Sequence, residues 1–453
     1  LPRPWAGLGS ASRSGGSPRR AALAGAFEGA LVKSIGIVGS GIAGLGLAYQ
    51  LRDRYDITIF EGNSYVGGHT NTIDVDKPSS VAFDTGFMVF NHVTYPLLTS
   101  LFQELNVETC KTDMSFSVQH KGDRLEWNGA GLDAIFAERR NLLNLRFWRM
   151  LLKLDWFNKN APEHLQDPQL SSLSISDYVA RYQLGADFLN WYLVPMGTSV
   201  WSTPLEGMLE FPASTLLRFF HNHGFLGLTT HFQWYTVVGG ARNYVKALLT
   251  SLKPQDRVLT NSAVVGVERT AEGARVFTAD GKSHYFDCVA LATHADQSLQ
   301  LLRNPTVLER ELLAPFHYQD NTVTVHCDTS VMPTCRKAWA SWNHRVSPGE
   351  GGATTHYWMN NLQGLAGPTN YFVSLNSEHL VDESKIFRRL NYTHPLFTLA
   401  TQKAQLRLPE LNEQDGSIFY CGSYFRYGFH EDAYLSACLL ADRLQALGVA
   451  CAQ

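Results

Sequence analysis

The segment Ser34 to Gly68 reads SIGIVGSGIAGLGLAYQL, then RDRYD, then ITIFEGNSYVGG. Ile35, Ile37 and Val38 form an apolar run that leads into Gly39, Ser40, Gly41, Ile42, Ala43 and Gly44. A helix-forming stretch follows, then a second apolar run at Ile57 and Ile59, and then an acid, Glu61. This order of strand, glycine turn, helix, strand and acid is that of a dinucleotide-binding unit. The first glycine makes the turn, the second lets the backbone approach a pyrophosphate, and the third lets helix pack on strand. The helix N-terminus then presents free N–H groups to two phosphate charges. A bare GxGxxG is a weak signal, and here the flanking strand, the helix and Glu61 supply the context that makes it specific.

A chain of 453 residues, 45% hydrophobic and 17% charged, has room for two or three cores and the balance of a globular enzyme. A formal charge of -3 without a long basic run argues against nucleic acid as a partner. No stretch approaches the roughly 18 consecutive apolar residues of a spanning helix, which leaves peripheral membrane contact open. Cys110, Cys288, Cys327, Cys335, Cys421, Cys438 and Cys451 are scattered and never in CxxC spacing, so reduced thiols and no zinc site are expected. The histidines form no HExxH pattern, and metal catalysis has no support.

Residues 1–30 carry Arg3, Arg13, Arg19 and Arg20, several serines and no acid before Glu28. That is the profile of an organelle transit peptide, and equally of a disordered tail. The first reading implies a plastid or mitochondrion, the second the cytoplasm. The chain opens on Leu1 rather than Met, which leaves its natural N-terminus open.

Beyond Glu61, VGGHTNT reads as a glycine loop and SVAFDTGFMVF as an extended run around Asp84 and Gly86. From Tyr95 the periodicity turns helical, with Phe147, Met150, Leu151 and Leu154 at three-to-four spacing inside 144–165. Residues 96 to about 230 are expected to be a largely helical insertion. Residues 235–249 read as strand, glycine pair and helix, and the following forty as short strands turning at Glu272-Gly273 and Asp280-Gly281. NTVTVHCD, KAWASWNH, THYWMN and YFVSLN suggest an antiparallel sheet, and the C-terminal piece reads strand, loop, helix. The expected fold is α/β. A discontinuous Rossmann-like nucleotide domain (31–95, 235–300 and 405–453) carries an inserted substrate domain of antiparallel sheet plus helices (96–234 and 301–404).

GSGIAGLGLAYQL, Glu61, VGGHTNT, FDTGFMVF, VVGGARNYVKAL and CGSYFRYGFHEDAYLSA together resemble the flavin-containing amine oxidoreductase superfamily. Within it, FDTGFMVFN, WASWNH, YWMNNLQGL and YGFHEDAYLSA are similar to FAD-binding proteins encoded beside cyclopropane fatty acid synthases. The resemblance implies FAD as cofactor, its pyrophosphate at Gly39, Gly41 and Gly44, and its adenosine ribose on Glu61. It places Gly67 and Gly68 near the ribityl and diphosphate, with His69, ahead of Thr70, where relatives carry Arg. It aligns Val264 with the residue whose backbone holds adenine. It also puts Gly422 at the ribityl chain, although Ser423 replaces the usual acid. Glu431, Asp432 and Ala433 would open a helix whose N–H groups stabilise reduced flavin, while both acids also suit plain helix capping.

The superfamily's chemistry is hydride removal beside a nitrogen or an allylic system. Its amine oxidases commonly place a Lys near the flavin at a strand like NTVTVHCD, where this chain has Asn321 and Thr322. LNWYLVPMGTSVWSTP and LLRFFHNHGFLGL are apolar and aromatic enough to line a site for an acyl chain or isoprenoid, although most such residues are core. His221 and His223 read as surface or capped histidines, and no catalytic residue stands out. PGEGGA, at 348–353, lacks a preceding strand in this reading, so no second nucleotide site is expected and electrons go to oxygen, to a carrier or back to substrate. The expected activity is FAD-dependent oxidation, desaturation or double-bond isomerisation of a lipidic substrate. An amine oxidase, or a non-catalytic flavoprotein accessory to a lipid-modifying enzyme, are the alternatives. Oligomeric state is not legible.

Overall fold

The computed structural model describes residues 33–450 apart from 77, 79, 228–231, 348–351 and 415, and the expected tail at 1–30 lies outside the described residues. The strand Lys33–Val38 is the middle of a five-stranded parallel sheet, between Tyr55–Phe60 and Cys288–Leu291, with Arg257–Leu259 and Ile418–Tyr420 at the edges. Ile35 and Ile37 enter one core, while Val38, Phe60 and Leu291 enter another. Burial on both faces is what a parallel sheet needs, and it explains why these strands read as continuous apolar runs.

The glycine loop works by close approach. Gly39 has a φ of 102°, and a side chain at Gly44 would place its Cβ 1.9 Å from the Gly39 carbonyl oxygen. The helix Ile42–Leu51 therefore starts against the strand end. Its other neighbour is the C-terminal helix His430–Ala450, where a Cβ on Gly46 would fall 2.5 Å from the Tyr434 ring and Gln50 Nε2 donates to Tyr434 Oη at 2.7 Å. Enclosed in this way, the helix shows almost no polar stripe.

A seven-stranded sheet lies beyond, in the order Ile386–Leu396, His317–His326, Phe372–Leu375, Gly352–Trp358, Trp342–Ser347, Phe116–His120, Leu125–Asn128. Beside its helices, the insertion after Tyr95 carries the strands Thr109–Thr112, Phe116–His120 and Leu125–Asn128, and the last two extend this sheet. Two expectations change here. The sheet is mixed, since Phe116–His120 runs parallel to Trp342–Ser347. PGEGGA does follow a strand, Trp342–Ser347, but what comes after it is a second strand, Gly352–Trp358, paired antiparallel to the first, and not the helix a phosphate loop would open; residues 348–351 themselves lie outside the described residues. The helical layer, residues 132–222, packs Phe147, Met150 and Phe157 of Leu145–His164 into one core with Trp201 and Phe219.

Asp84, at the end of the strand Val81–Asp84, is buried and joins distant segments. It accepts hydrogen bonds from Thr72 Oγ1 (2.5 Å), the Ala241 amide (2.9 Å) and Gln363 Nε2 (2.7 Å). Burial raises its pKa above the ordinary carboxylate value, against the pull of those donors.

Gly44→Ala should lower the thermal midpoint and cost about 1–3 kcal/mol in denaturant unfolding, because the added methyl has no room beside the Gly39 carbonyl. An unchanged midpoint would mean that the loop does not set the helix position.

Candidate active site

A cleft of about 780 Å³ opens at the carboxyl ends of the parallel strands and runs between the two sheets. Of the residues singled out in the sequence, it is lined by Gly39, Ser40, Gly41, Ile42, Ala43, Glu61, Gly67, Gly68, His69, Val264, Gly422 and Ala433. Gly44, Thr70, Glu431 and Asp432 do not line it.

The glycine loop fits an anion. Gly41 caps the helix Ile42–Leu51 with no side-chain hydrogen bond, and no acid lies in the first turn. A Cβ built on Gly41 would meet no atom within 4 Å, whereas one on Gly68 would lie 3.2 Å from the Gly41 Cα. The second glycine pair thus backs onto the first, with the uncapped amides facing open space.

Glu61 is buried and already held by four donors. Its Oε2 accepts from the Ser40 amide (3.2 Å) and hydroxyl (2.5 Å), and its Oε1 from the Asn63 amide and side-chain nitrogen (both 2.9 Å). The acid therefore shapes the loop as well as lining the cleft. Val264 opens the strand Val264–Thr270, and the ladder shifts register between it and Gly266. The Gly422 amide donates to Ser436 Oγ at 2.8 Å, which fixes the turn before the last helix.

The acid pair does capping work, Asp432 on its own helix as the capping alternative has it and Glu431 on a different one. Glu431 accepts from the amides of Leu97 (2.9 Å) and Leu98 (3.0 Å), so it caps the helix Pro96–Glu104. Asp432 accepts from the Tyr427 (3.2 Å) and Phe429 (3.1 Å) amides and caps its own helix. Burial raises their pKa values to about 7 and about 6. What reaches the cleft is the start of the helix itself, through Phe429, His430 and Ala433. Thr70 is a buried bridge, hydrogen-bonded to Tyr244 and, at 2.9 Å, to His430 Nε2.

Beside His69 the cleft gathers residues that no motif marks, His294, His394 and Tyr392. His69 lies 5.9 Å from His294, 5.5 Å from His394 and 5.0 Å from Tyr392 between ring centroids. His430 stacks on Phe87 at 3.8 Å. Burial holds His294, His394 and His430 neutral, with pKa values lowered to about 3, and lowers that of His69 too. Among the described residues His69 Nε2 is buried without a hydrogen-bond partner. Among the described residues no group of three or more His, Cys, Asp or Glu is placed to hold a metal ion. The described lining contains one charged side chain, Glu61.

The remaining lining is apolar and comes from the helical layer and the seven-stranded sheet, including Trp201, Phe219, Phe225, Trp234 and Tyr357. Most of the two aromatic stretches is core, as expected, for example Trp191, Leu216 and Phe220. His221 is exposed, whereas His223 is buried, stacked on Phe219, and hydrogen-bonded to the Phe219 carbonyl. It is thus a capped histidine and not a surface one. Asn321 does not line the cleft and contacts the Gln319 carbonyl and His394.

The model of the flavin-containing amine oxidoreductase family matches residues 42–445. The chain belongs to that family. Solved structures share the fold of this flavin-containing amine oxidoreductase at low identity. A putrescine oxidase is 15% identical with a TM-score of 0.66, covering 92% of this chain and 99% of its own. The cyclohexylamine oxidase of Brevibacterium oxydans IH-35A is 15% identical at 0.65, covering 92% and 100%. A CLA-producing fatty acid isomerase from P. acnes is 14% identical at 0.65, covering 91% and 98%. No curated protein matches significantly. The flavoenzyme is an oxidoreductase, and its cofactor is FAD.

The buried histidines set a pH dependence. Unfolded, each titrates near 6.5, while His294, His394, His430 and His344 titrate near 3 in the fold. Their folded pKa is depressed, so the associated stability is present above pH 6.5 and is lost as pH falls toward 3. Glu431 and Asp432 act in the opposite sense, losing stability as pH rises from about 4 through 6 and 7, and are fewer. Denaturant midpoints should therefore fall between pH 7 and pH 5. His294→Gln should flatten the slope by about 1.4 kcal/mol per pH unit. A midpoint flat over that range would show that the histidines take up protons without unfolding.

Proposed function

We propose that this flavoenzyme binds FAD along the Gly39–Gly44 loop and removes a hydride from an apolar, lipid-like substrate. The observation that carries the substrate class is the charge pattern of the cleft. An alkylammonium group leaving water needs a carboxylate or an equivalent set of acceptors, and burying its charge without one is costly. Glu61, the one acid in the described lining, is occupied by Ser40 and Asn63. A hydrocarbon segment asks only for apolar area, which Trp201, Phe219, Phe225 and Trp234 supply.

In this reading the amides of the helix Ile42–Leu51 and the flexible-φ pair Gly67 and Gly68 receive the diphosphate. Glu61 and the backbone at Val264 take the adenosine part. Gly422 and the first turn of the helix His430–Ala450 take the flavin side, where the helix dipole favours negative charge. Bound FAD supplies the hydride acceptor. The protein's part is to hold the reacting C–H in a dry aromatic cleft and to keep His69, His294, His394 and His430 neutral beside it. Double-bond isomerisation fits this arrangement as well as net oxidation, since both begin with the same C–H cleavage.

The deciding experiment is anaerobic bleaching of the purified yellow protein against unsaturated fatty acids, carotenoids, monoamines and polyamines, followed by product analysis. Bleaching by a fatty acid or carotenoid is expected. Bleaching by amines alone would overturn the lipid reading, and bleaching by none would favour an accessory flavoprotein. Gly41→Leu should abolish FAD retention while leaving the fold intact, because a side chain there enters open space and meets no atom of the protein. Full FAD occupancy in that variant would contradict the diphosphate assignment. Glu61→Gln should weaken FAD binding by about tenfold, the effect of one charge-assisted hydrogen bond.

A further inference from the structure

The helix Leu145–His164 has two apolar faces. The inner one, Phe147, Met150, Phe157 and Ala161, is buried in the helical core. The outer one carries Leu145, Trp148, Leu152 and Trp156, spaced by three, four and four residues, which at 3.6 residues per turn is a single stripe opposite the buried face. Leu145 is 79% exposed and Leu152 69%. The turn before the helix adds Leu142 and Leu143, the latter 88% exposed, and Trp148 Nε1 donates to the Leu142 carbonyl at 2.9 Å, which joins turn and stripe. A soluble surface rarely aligns its exposed large apolar side chains so closely.

We infer that this outer face docks the protein on an anionic lipid surface. Charge complementarity selects that occupant. Between residues 132 and 160 there are six basic side chains and three acidic ones, in a chain whose formal charge is -3. Arg139, Arg140, Arg146 and Lys159 are paired with acids, while Arg149 is exposed beside the stripe and Lys153, half-buried, lies on the flank of the helix between its two apolar faces. Leucines and tryptophans bordered by Lys and Arg are the composition of a helix lying in a bilayer interface, where tryptophan rings sit at headgroup level. A second copy of the chain is the weaker fit. A stable protein interface needs roughly 800 Å² per partner and twenty or more residues a side, far more than six side chains on one convex helix supply. No helix among the described residues is long and apolar enough to cross a membrane, so the contact is peripheral. The inner face of the same helix shares a core with Trp201 and Phe219, which line the cleft, so the docking face and the cleft are separated by one packed layer.

The test is co-sedimentation of the full-length FAD-loaded protein with phosphatidylcholine vesicles, with and without phosphatidylglycerol. Binding to the anionic vesicles, weakened by salt, is expected. Leu145→Ser with Leu152→Ser should lower the partition coefficient by about tenfold, since both side chains already face solvent and only their interfacial burial is lost. Arg149→Glu with Lys153→Glu should abolish the preference for phosphatidylglycerol. Flavin content and thermal midpoint, which these outward changes should leave in place, show that each variant is folded. No binding to anionic vesicles, or binding unmoved by the leucine pair, overturns the proposal. So does a concentration-dependent dimer in sedimentation velocity that the same leucine changes dissolve. The readout needs no substrate, so it stands or falls apart from the lipid-substrate reading.

Discussion

A single buried carboxylate, Asp84, fastens the molecule together. Its donors come from Thr72 beside the second glycine loop, Ala241 after a glycine pair and Gln363 at the end of the short helix Met359–Gln363 that follows the strand Gly352–Trp358. A carboxylate removed from water is tolerable only when its lone pairs are filled, and a network that is filled is rigid. Because the partners lie up to 279 residues away, the cost of burying Asp84 is met only when the segments meet in one arrangement. Gly86, two residues on, sits so close to the His69 carbonyl that a Cβ would fall 2.2 Å from it, which carries the same constraint to the cleft wall.

The cleft is electrostatically quiet for a site built to hold a dinucleotide. Its lone described acid is saturated by donors, and its histidines are buried and neutral. In the proposed binding mode the diphosphate is met by backbone dipoles at the start of the helix Ile42–Leu51, and the flavin side by the start of the helix His430–Ala450. Amide dipoles fixed by strand and helix geometry need no counter-ion and do not titrate, so the binding surface keeps its character across pH.

What the sequence made legible was local. The strand, loop and helix from Lys33 to Leu51 could be read because each residue's role depends on neighbours a few positions away. The helix Leu145–His164 showed its inner face through spacing for the same reason. Its outer stripe passed unnoticed, because a helix apolar on two sides looks like a buried one until the exposure of each side is known. The parallel pairing of Phe116–His120 with Trp342–Ser347 joins segments 226 residues apart, and no periodicity encodes that. The histidine cluster draws His69, His294 and His394 from three segments, of which only that of His69 carries a motif. Glu431 was read as an N-terminal acid of its own helix, while its carboxylate serves another, a choice made by tertiary packing.

The enclosure of the helix Ile42–Leu51 by the helix His430–Ala450 also bears on how the protein is made. The first strand, loop and helix leave the ribosome early, yet the helix that covers them is translated some 380 residues later. At about 5–20 residues per second that is a delay of roughly 20 to 75 seconds. During it, Leu45, Leu47 and Ala48, all buried at the end, belong to a half-built core. Until the helix His430–Ala450 emerges, that apolar surface lacks its final cover, so the order of synthesis leaves the cofactor-binding end of the fold to close late.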